Sequence, residues 1–277
     1  MDSQSGLFFL WIIFDFFPNC RTNEAVFTVT HEEISMADRK LWKMRARRHP
    51  LAEKPINDSF WADMARLLSV TGLGQAYSLS NRLVKNNEHR FTHAFSSPAT
   101  RAIMLNAILT AGLGLDIEVL PELVYPSKAT KAGTKFHEIF KNMGTSWTLK
   151  PLVKHPNWPL LCKHGERALA AILRNVCREK FDKYNLVNVL VTGHFPTLPA
   201  MLLAAVGGEK TRLGKKTIGT PLLETAGYTA TFDGHQFLKL EFDEADPELS
   251  KKEKEIRRLT RQLQQVNRDI LARTPIW

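Results

Sequence analysis

The 277-residue sequence predicts an α/β fold, a mainly parallel sheet with helices on both faces. Three observations carry this expectation. Short apolar or β-branched runs alternate with longer segments of helical apolar spacing. The segments between those runs are long enough to be crossover helices. The one strong hairpin signal, Asp233-Gly234, sits near the C-terminal end of the pattern. A hydrophobic fraction of 44% with 24% charged residues is ordinary for a globular chain and excludes disorder for its bulk.

The elements follow in order. Leu41 to Ala46 reads as a strand closing at Arg47-Arg48-His49-Pro50. From Phe60 to Val84 the apolar positions Trp61, Met64, Leu67, Leu68, Ala76, Leu79 and Leu83 recur at helical spacing. Phe91 to Phe95 is a short strand, Ala99 to Ala111 a helix, and Ile117 to Leu120 a β-branched strand. Tyr125 to Leu161, interrupted by prolines, has few long periodic runs and reads as irregular. A helix over Glu166 to Phe181, a strand over Leu186 to Thr192 and a helix over Leu198 to Val206 follow. The strands Ala226 to Phe232 and Gln236 to Phe242 close the pattern.

This gives a domain over residues 39–245, an N-terminal extension over 1–38 and a C-terminal amphipathic helix over 246–277. The apolar run Leu7 to Phe14, continued past Asp15 by Phe16 and Phe17, falls short of the ~20 residues of a spanning helix. Its start, Met1-Asp2-Ser3-Gln4, lacks the basic residues of a secretory signal. Residues 7–17 therefore read as a surface-docked extension, a membrane contact or a cleaved signal. In the tail, Ser250 and Glu253 form a capping box, and Ile256, Leu259, Leu263, Val266 and Ile270 make a seam of about two heptads. That helix either lies on its own domain or serves self-association or a partner helix through residues 250–272. Cys20, Cys162 and Cys177 cannot all pair and have no metal-ligand spacing, which suits a reducing, cytoplasmic compartment.

The net charge of +10 points to an anionic partner. Nucleic acid is disfavoured, because no basic motif is interleaved with aromatics. Open α/β sheets bind ligands at the carboxyl ends of their strands. Those ends carry Arg47-Arg48-His49, then Ser96-Ser97-Pro98 with Arg101 one turn on, then Thr192-Gly193-His194 before a helix. Guanidinium forks match phosphate oxygens and helix N-termini favour anions, so these residues describe a phosphate pocket.

The same residues resemble the histidine phosphatases, the phosphoglycerate mutase-like superfamily. Arg48-His49-Pro50 stands where that family has Arg-His-Gly. Leu68-Ser69-Val70-Thr71-Gly72-Leu73-Gly74-Gln75-Ala76 looks like its Leu-Thr-x-x-Gly-x-x-Gln-Ala helix motif. Ser96 through Ala102 matches Ser-Ser-Pro-x-x-Arg-Ala letter for letter, and Gly193-His194 matches the final Gly-His. The resemblance covers about residues 40 to 242. It implies a phosphoglycerate mutase-like three-layer sandwich and a phosphatase that needs no metal or cofactor. It implies His49 as the nucleophile that becomes phosphohistidine, with Arg48, Arg101 and His194 holding phosphate oxygens. It implies a carboxylate after the third strand as leaving-group acid, for which Glu122 is in place and Glu53 is a second candidate. The substrate would be a phosphorylated small molecule.

An imidazole attacks only when neutral, and neighbouring arginines disfavour imidazolium. Two departures from the family pattern matter. Val124-Tyr125-Pro126-Ser127 replaces the Glu-rich signature of the mutases, which argues against a mutase. Pro50 replaces Gly and removes a backbone N–H. That leaves an alternative, a catalytically degenerate member acting as an interaction or structural module through its basic face and C-terminal helix. Lys163-His164-Gly165-Glu166 imitates the opening motif but reads as a helix start, with His164 an N-terminal helix residue. Arg39, Lys40, Lys43, Arg45, Arg47 and Arg48 around the first strand, and the Lys210, Arg212, Lys215, Lys216 loop, form either a steering rim or ordinary solvated charge.

Overall fold

The computed structural model of the chain describes residues 40–57, 59–127, 130–141, 147–177 and 186–243. The expectations for residues 1–38 and for the 246–277 helix lie outside these. In chain order the elements are β1 (Leu41–Arg48), α1 (Phe60–Met64), α2 (Val70–Lys85), β2 (His93–Ser96), α3 (Thr100–Leu109) and β3 (Ile117–Val119). A 3-10 turn (Pro121–Leu123) leads to α4 (Lys131–Lys141), α5 (Trp158–Val176), β4 (Val187–Gly193), α6 (Thr197–Ala205) and α7 (Arg212–Gly219). The hairpin β5 (Gly227–Asp233) and β6 (Gln236–Asp243) ends the described chain.

One six-stranded sheet has the order β3-β2-β4-β1-β5-β6. The β3/β2, β2/β4 and β4/β1 pairs are parallel, and β5 and β6 add antiparallel edges beyond β1. The mainly parallel α/β sheet is therefore as expected. Its two faces are built from the period-2 alternation of the strands. Trp42, Met44 and Ala46 of β1 join residues of α5 and α6 in the larger core. Ala76, Leu79 and Leu83 of α2 pack with Leu105 and Leu109 of α3 and Leu190 of β4 in a second core. Helices thus cover both sides and make three layers. Trp42 stacks on Phe232 at 4.4 Å and donates its indole N–H to Gly234 O at 2.7 Å, pinning β1 to the hairpin.

Several boundaries differ from the sequence reading. The helical spacing over Phe60 to Val84 is two helices, because Ser59 and Ser69 each cap a separate start with the side-chain oxygen. The stretch from Tyr125 to Leu161 contains α4 and the first turn of α5. α5 begins at Trp158, eight residues before the expected Glu166, since Pro159 sits in the first turn, where a missing N–H costs nothing. The Lys210 to Lys216 cluster lies mainly on α7, capped by Thr211, and not in a loop. Among the described residues no helix is long and apolar enough to cross a membrane.

α5 and α6 are in close contact at Gly165, where an added Cβ would lie 2.4 Å from the carbonyl carbon and oxygen of Ala200. Gly165→Ala should lose about 2 kcal/mol of stability net. Overpacking against backbone outweighs the ~1 kcal/mol gain in helix propensity. A lower urea midpoint with unchanged slope would show this, and a midpoint at or above wild type would contradict the close approach.

Candidate active site

The parallel pairing of β1 with β4 sets Arg48 opposite Gly193, so the chain leaves both strands side by side. His49 N–H donates to Gly193 O at 3.1 Å, and the His49 and His194 rings meet edge to face with centroids 4.9 Å apart. β2 pairs with β4 on its other side, with Ser96 opposite Thr192. Ser97 N–H accordingly donates to Thr192 O at 3.0 Å, and Ser97 Oγ lies 2.5 Å from His194 Nε2. Arg101, in the first turn of α3, donates its Nε–H to His49 Nε2 at 3.2 Å. Three adjacent strand ends thereby supply His49, His194, Ser97 and Arg101 to one spot.

The turn after β1 is held by α2. His49 Nδ1 lies 2.6 Å from Pro50 O, a contact that requires Nδ1–H as donor and leaves the Nε2 lone pair toward Arg101. Leu51 N–H donates to Gln75 Oε1 at 2.9 Å. Leu51 O accepts from Ser69 N–H at 3.1 Å and from Ser69 Oγ–H at 3.2 Å. Ser69 Oγ also caps α2 by accepting from Gly72 N–H at 3.0 Å. A Cβ on Gly72 would stand 1.9 Å from Leu51 O, so only glycine lets the turn sit this close. The motif from Leu68 to Ala76 is thus the seat of the His49 turn.

Electrostatics follow from this crowding. Burial, then Arg101 and Arg48, hold the His49 pKa well below its ordinary value, with the Pro50 carbonyl opposing and Arg66 adding. His194 is depressed by burial, Arg101, His49 and Arg48. Arg48 donates from Nη1 to Leu222 O at 2.7 Å and pairs through Nη2 with Glu224 at 3.4 Å. Its guanidinium carbon stands 3.8 Å from the Trp147 ring centroid. Arg101 pairs through Nη2 with Asp63 Oδ2 at 3.0 Å and donates from Nη1 to the Asp63 carbonyl. Asp63 Oδ1 pairs with Arg66 at 2.9 Å, and Tyr125 OH donates to Asp63 Oδ2 at 3.1 Å. Burial pushes the Asp63 pKa up, but Arg101 and Arg66 outweigh it and keep it below the ordinary value.

Of the residues singled out in the sequence, His49, Arg101 and His194 come together directly, and Arg48 lies beside them on Trp147. Glu122 is half-exposed on the 3-10 turn after β3, with no hydrogen bond or ion pair to that cluster among the described residues. Glu53 is exposed and engaged through its main chain, its N–H donating to Leu67 O at 2.9 Å and its carbonyl accepting from Arg66 Nε–H at 2.5 Å. Arg45 and Arg47 are not a solvent rim. Both are buried, paired with Glu88 at 3.0 Å and Asp243 at 2.9 Å, because their β1 positions face the covered side of the sheet. Asp63, Arg66 and Tyr125 are given no site role in the sequence reading. Ser97 lay inside a matched motif, and Asp63 and Arg66 carry an i,i+3 spacing that resembles any surface ion pair.

His164 is corrected as well. It lies in the second turn of α5, buried, its ring 5.1 Å from that of Phe136. It is not at the helix start, because the helix begins six residues before it.

The histidine phosphatase superfamily (branch 1) matches the chain over residues 47–237. Among solved structures, Bacillus stearothermophilus YhfR is 17% identical with a TM-score of 0.50, covering 71% of this chain and 94% of that one. The α-ribazole phosphatase of Shigella flexneri is 13% identical with a TM-score of 0.50, covering 73% and 96%. Phosphoglycerate mutase from Bacillus anthracis is 15% identical with a TM-score of 0.49, covering 77% and 96%. No curated protein sequence matches the chain.

Burial, then Arg167, lowers the pKa of His164 to about 4. A histidine depressed in the folded state lets the unfolded chain bind the proton first, so its stabilising effect is present above pH 6.5 and is lost as pH falls. Wild type should lose about 1 kcal/mol per pH unit from this group between pH 6.5 and about 4. Urea unfolding of His164→Gln across that window should give a slope shallower by that amount; an unchanged slope would refute the assignment.

Proposed function

The chain belongs to the histidine phosphatase superfamily, branch 1, and on that premise we propose that it hydrolyses phosphomonoesters through a phosphohistidine at His49. The observation that carries this reading is the orientation of His49. Its Nδ1–H is held by Pro50 O, and its Nε2 lone pair faces the Arg101 guanidinium. A neutral imidazole in that pose attacks phosphorus through Nε2 while Arg101 meets the equatorial oxygens in which charge collects. Arg48 and His194 complete the cradle. His194 Nδ1 and Thr197 Oγ1, both buried, have no partner among the described residues and lie at the start of α6, where a helix N-terminus favours an anion.

Attack on the monoester forms the Nε2–P bond and breaks the P–O bond to the leaving group. Water then attacks the phosphohistidine, releases inorganic phosphate and restores the imidazole. Glu122 is proposed to protonate the leaving oxygen in the first step and to take the proton from water in the second. Its support is the segment it sits on, since Tyr125, three residues later, reaches the site by bonding Asp63. The substrate is a phosphorylated small molecule.

Wild type should turn over p-nitrophenyl phosphate, and His49→Ala should cut kcat by roughly a thousandfold or more. Labelled phosphate trapped on the wild type should survive base and be released by acid. Turnover by wild type no greater than by His49→Ala between pH 5 and 8 would favour a catalytically degenerate member.

Because the His49 pKa is depressed, the imidazole stays neutral as pH falls through 6.5. The kcat/KM, which reports the free enzyme, should therefore show no tenfold loss per pH unit just below 6.5 from this group, as an unshifted histidine nucleophile would.

Glu122→Gln should lower kcat on an alkyl phosphate by about 10²-fold. It should change the rate of the first-turnover burst of p-nitrophenolate little, since that leaving group needs no proton and the burst precedes the hydrolysis step shared by both substrates. Equal losses in first-turnover alcohol and p-nitrophenolate release would remove Glu122 from the acid role.

A further inference from the structure

Arg101 is fixed by its far end. A guanidinium has an end edge, Nη1 and Nη2, and a side edge that includes Nε. In this site the end edge is taken wholly by one residue. Nη2 pairs with Asp63 Oδ2 at 3.0 Å and Nη1 donates to the Asp63 main-chain carbonyl, which leaves Nε to point at His49 Nε2, 3.2 Å away. The Arg101 side chain is 5% exposed, so solvent does not compete for these contacts. Two anchor points on the end edge define the plane of the guanidinium as well as its position.

The anchor is itself held on every side. Oδ1 of Asp63 is paired with Arg66 at 2.9 Å, and Oδ2 accepts from Tyr125 OH at 3.1 Å. The main-chain carbonyl belongs to the last turn of α1, where it also accepts from Arg66 N–H at 3.3 Å and where carbonyls favour a cation. α1 is fixed at its other end by the Ser59 cap and by Phe60, whose ring centroid is 6.3 Å from that of Tyr125. A five-residue helix between the His49 turn and α2 thus delivers one carboxylate and one carbonyl to the arginine beside the nucleophile.

We propose that Asp63 is the positioning residue of the site: it clamps the end edge of Arg101 so that the Nε edge is presented to the phosphoryl group at His49 Nε2, with Tyr125 and Arg66 holding the clamp. This rests on the phosphohistidine reading above and names a residue that acts only through Arg101. Asp63 takes no proton in this role. The pairing with two arginines keeps it ionised, which suits an anchor and not a leaving-group acid. When phosphate arrives, Arg101 gives up one contact, the donation to His49 Nε2, and keeps its orientation.

The test uses the full chain, with wild type, Asp63→Ala, Asp63→Asn, Arg101→Ala and the Asp63→Ala/Arg101→Ala double variant. Turnover of p-nitrophenyl phosphate is measured beside vanadate binding by calorimetry, which reads the site whether or not turnover is detected. Asp63→Ala should lower kcat about 10- to 100-fold, with KM moving much less, because misaligned charge is felt most in the transition state. Vanadate should bind at least tenfold more weakly. Asp63→Asn, which unlike alanine keeps one side-chain oxygen to accept from Arg101 Nη2, should recover the larger part of both losses. It also serves as the measured variant if the alanine protein does not fold.

In the Arg101→Ala background the Asp63→Ala change should cost nothing further, within about twofold, as expected for two residues in one chain of action. Turnover and vanadate affinity of Asp63→Ala within twofold of wild type would overturn the proposal. So would a full additional loss in the Arg101→Ala background, since Asp63 would then act independently of that arginine. Failure of the phosphatase reading shows separately, as wild-type turnover equal to that of His49→Ala.

Discussion

The organising constraint is that one imidazole must remain neutral, and in one tautomer, among guanidinium groups. The contact between His49 Nδ1 and Pro50 O at 2.6 Å meets it, because a proton committed to the carbonyl leaves Nε2 as the lone pair. Burial and the nearby arginines oppose a second proton. That contact spans one residue, so it survives only if the backbone of the turn cannot move. The surrounding structure supplies this rigidity. Gly193 O holds the His49 N–H, and the seat on α2 made by Ser69, Gly72 and Gln75 holds Leu51 from both its N–H and its carbonyl. The second family motif lies some twenty residues from His49 in sequence and keeps this turn in place.

A second constraint concerns the arginines. A buried guanidinium without a partner is strongly unfavourable. The structure answers four of them with carboxylates drawn from separate elements: Arg45 with Glu88, Arg47 with Asp243, Arg48 with Glu224, and Arg101 with Asp63. The formal charge of +10 is therefore a property of the rest of the surface more than of the pocket. What the pocket offers an anion is direction: a guanidinium edge, ring nitrogens and a helix start aimed at one point. The alternation of β1 sends Arg45 and Arg47 to one face and Arg48 to the other. Three nearly consecutive arginines on one strand thus have different surroundings and different work.

This separates what was legible in the sequence from what was not. The α/β class and the strand ends could be read, because strand and helix leave different periodicities and ligand-binding residues gather where parallel strands end. His49, Arg101 and His194 could be read for the same reason. The division of Phe60 to Val84 into two helices could not be read from apolar spacing, since the apolar stripe runs through the break while two serine caps define it. The start of α5 was hidden by Pro159, which disrupts a helix interior but not a first turn. The merging of Arg45 and Arg47 into a supposed basic rim had another cause. Burial is decided by which elements cover a strand face, and Asp243, the partner of Arg47, is almost two hundred residues away in the chain. Asp63 was illegible because its importance lies in a contact with Arg101, thirty-eight residues on, to which spacing gives no clue.

Pro50 lies where these constraints meet. A glycine after the histidine offers an N–H, torsional freedom and a carbonyl; proline keeps only the carbonyl. Torsional freedom is given up here, because the pyrrolidine ring itself fixes φ in the negative range. The carbonyl is the part on which the tautomer of His49 depends, and it is retained. What is lost is one main-chain donor beside His49. For the phosphatase reading, loss of a single donor would weaken anion binding without altering how His49 is aimed or protonated, and the donors proposed on Arg101, Arg48 and the start of α6 come from other elements. A proline that also stiffens the turn, on which the Nδ1 contact relies, is therefore consistent with a working nucleophile in a way that substitution at Gly72, whose missing side chain makes room for Leu51, would not be.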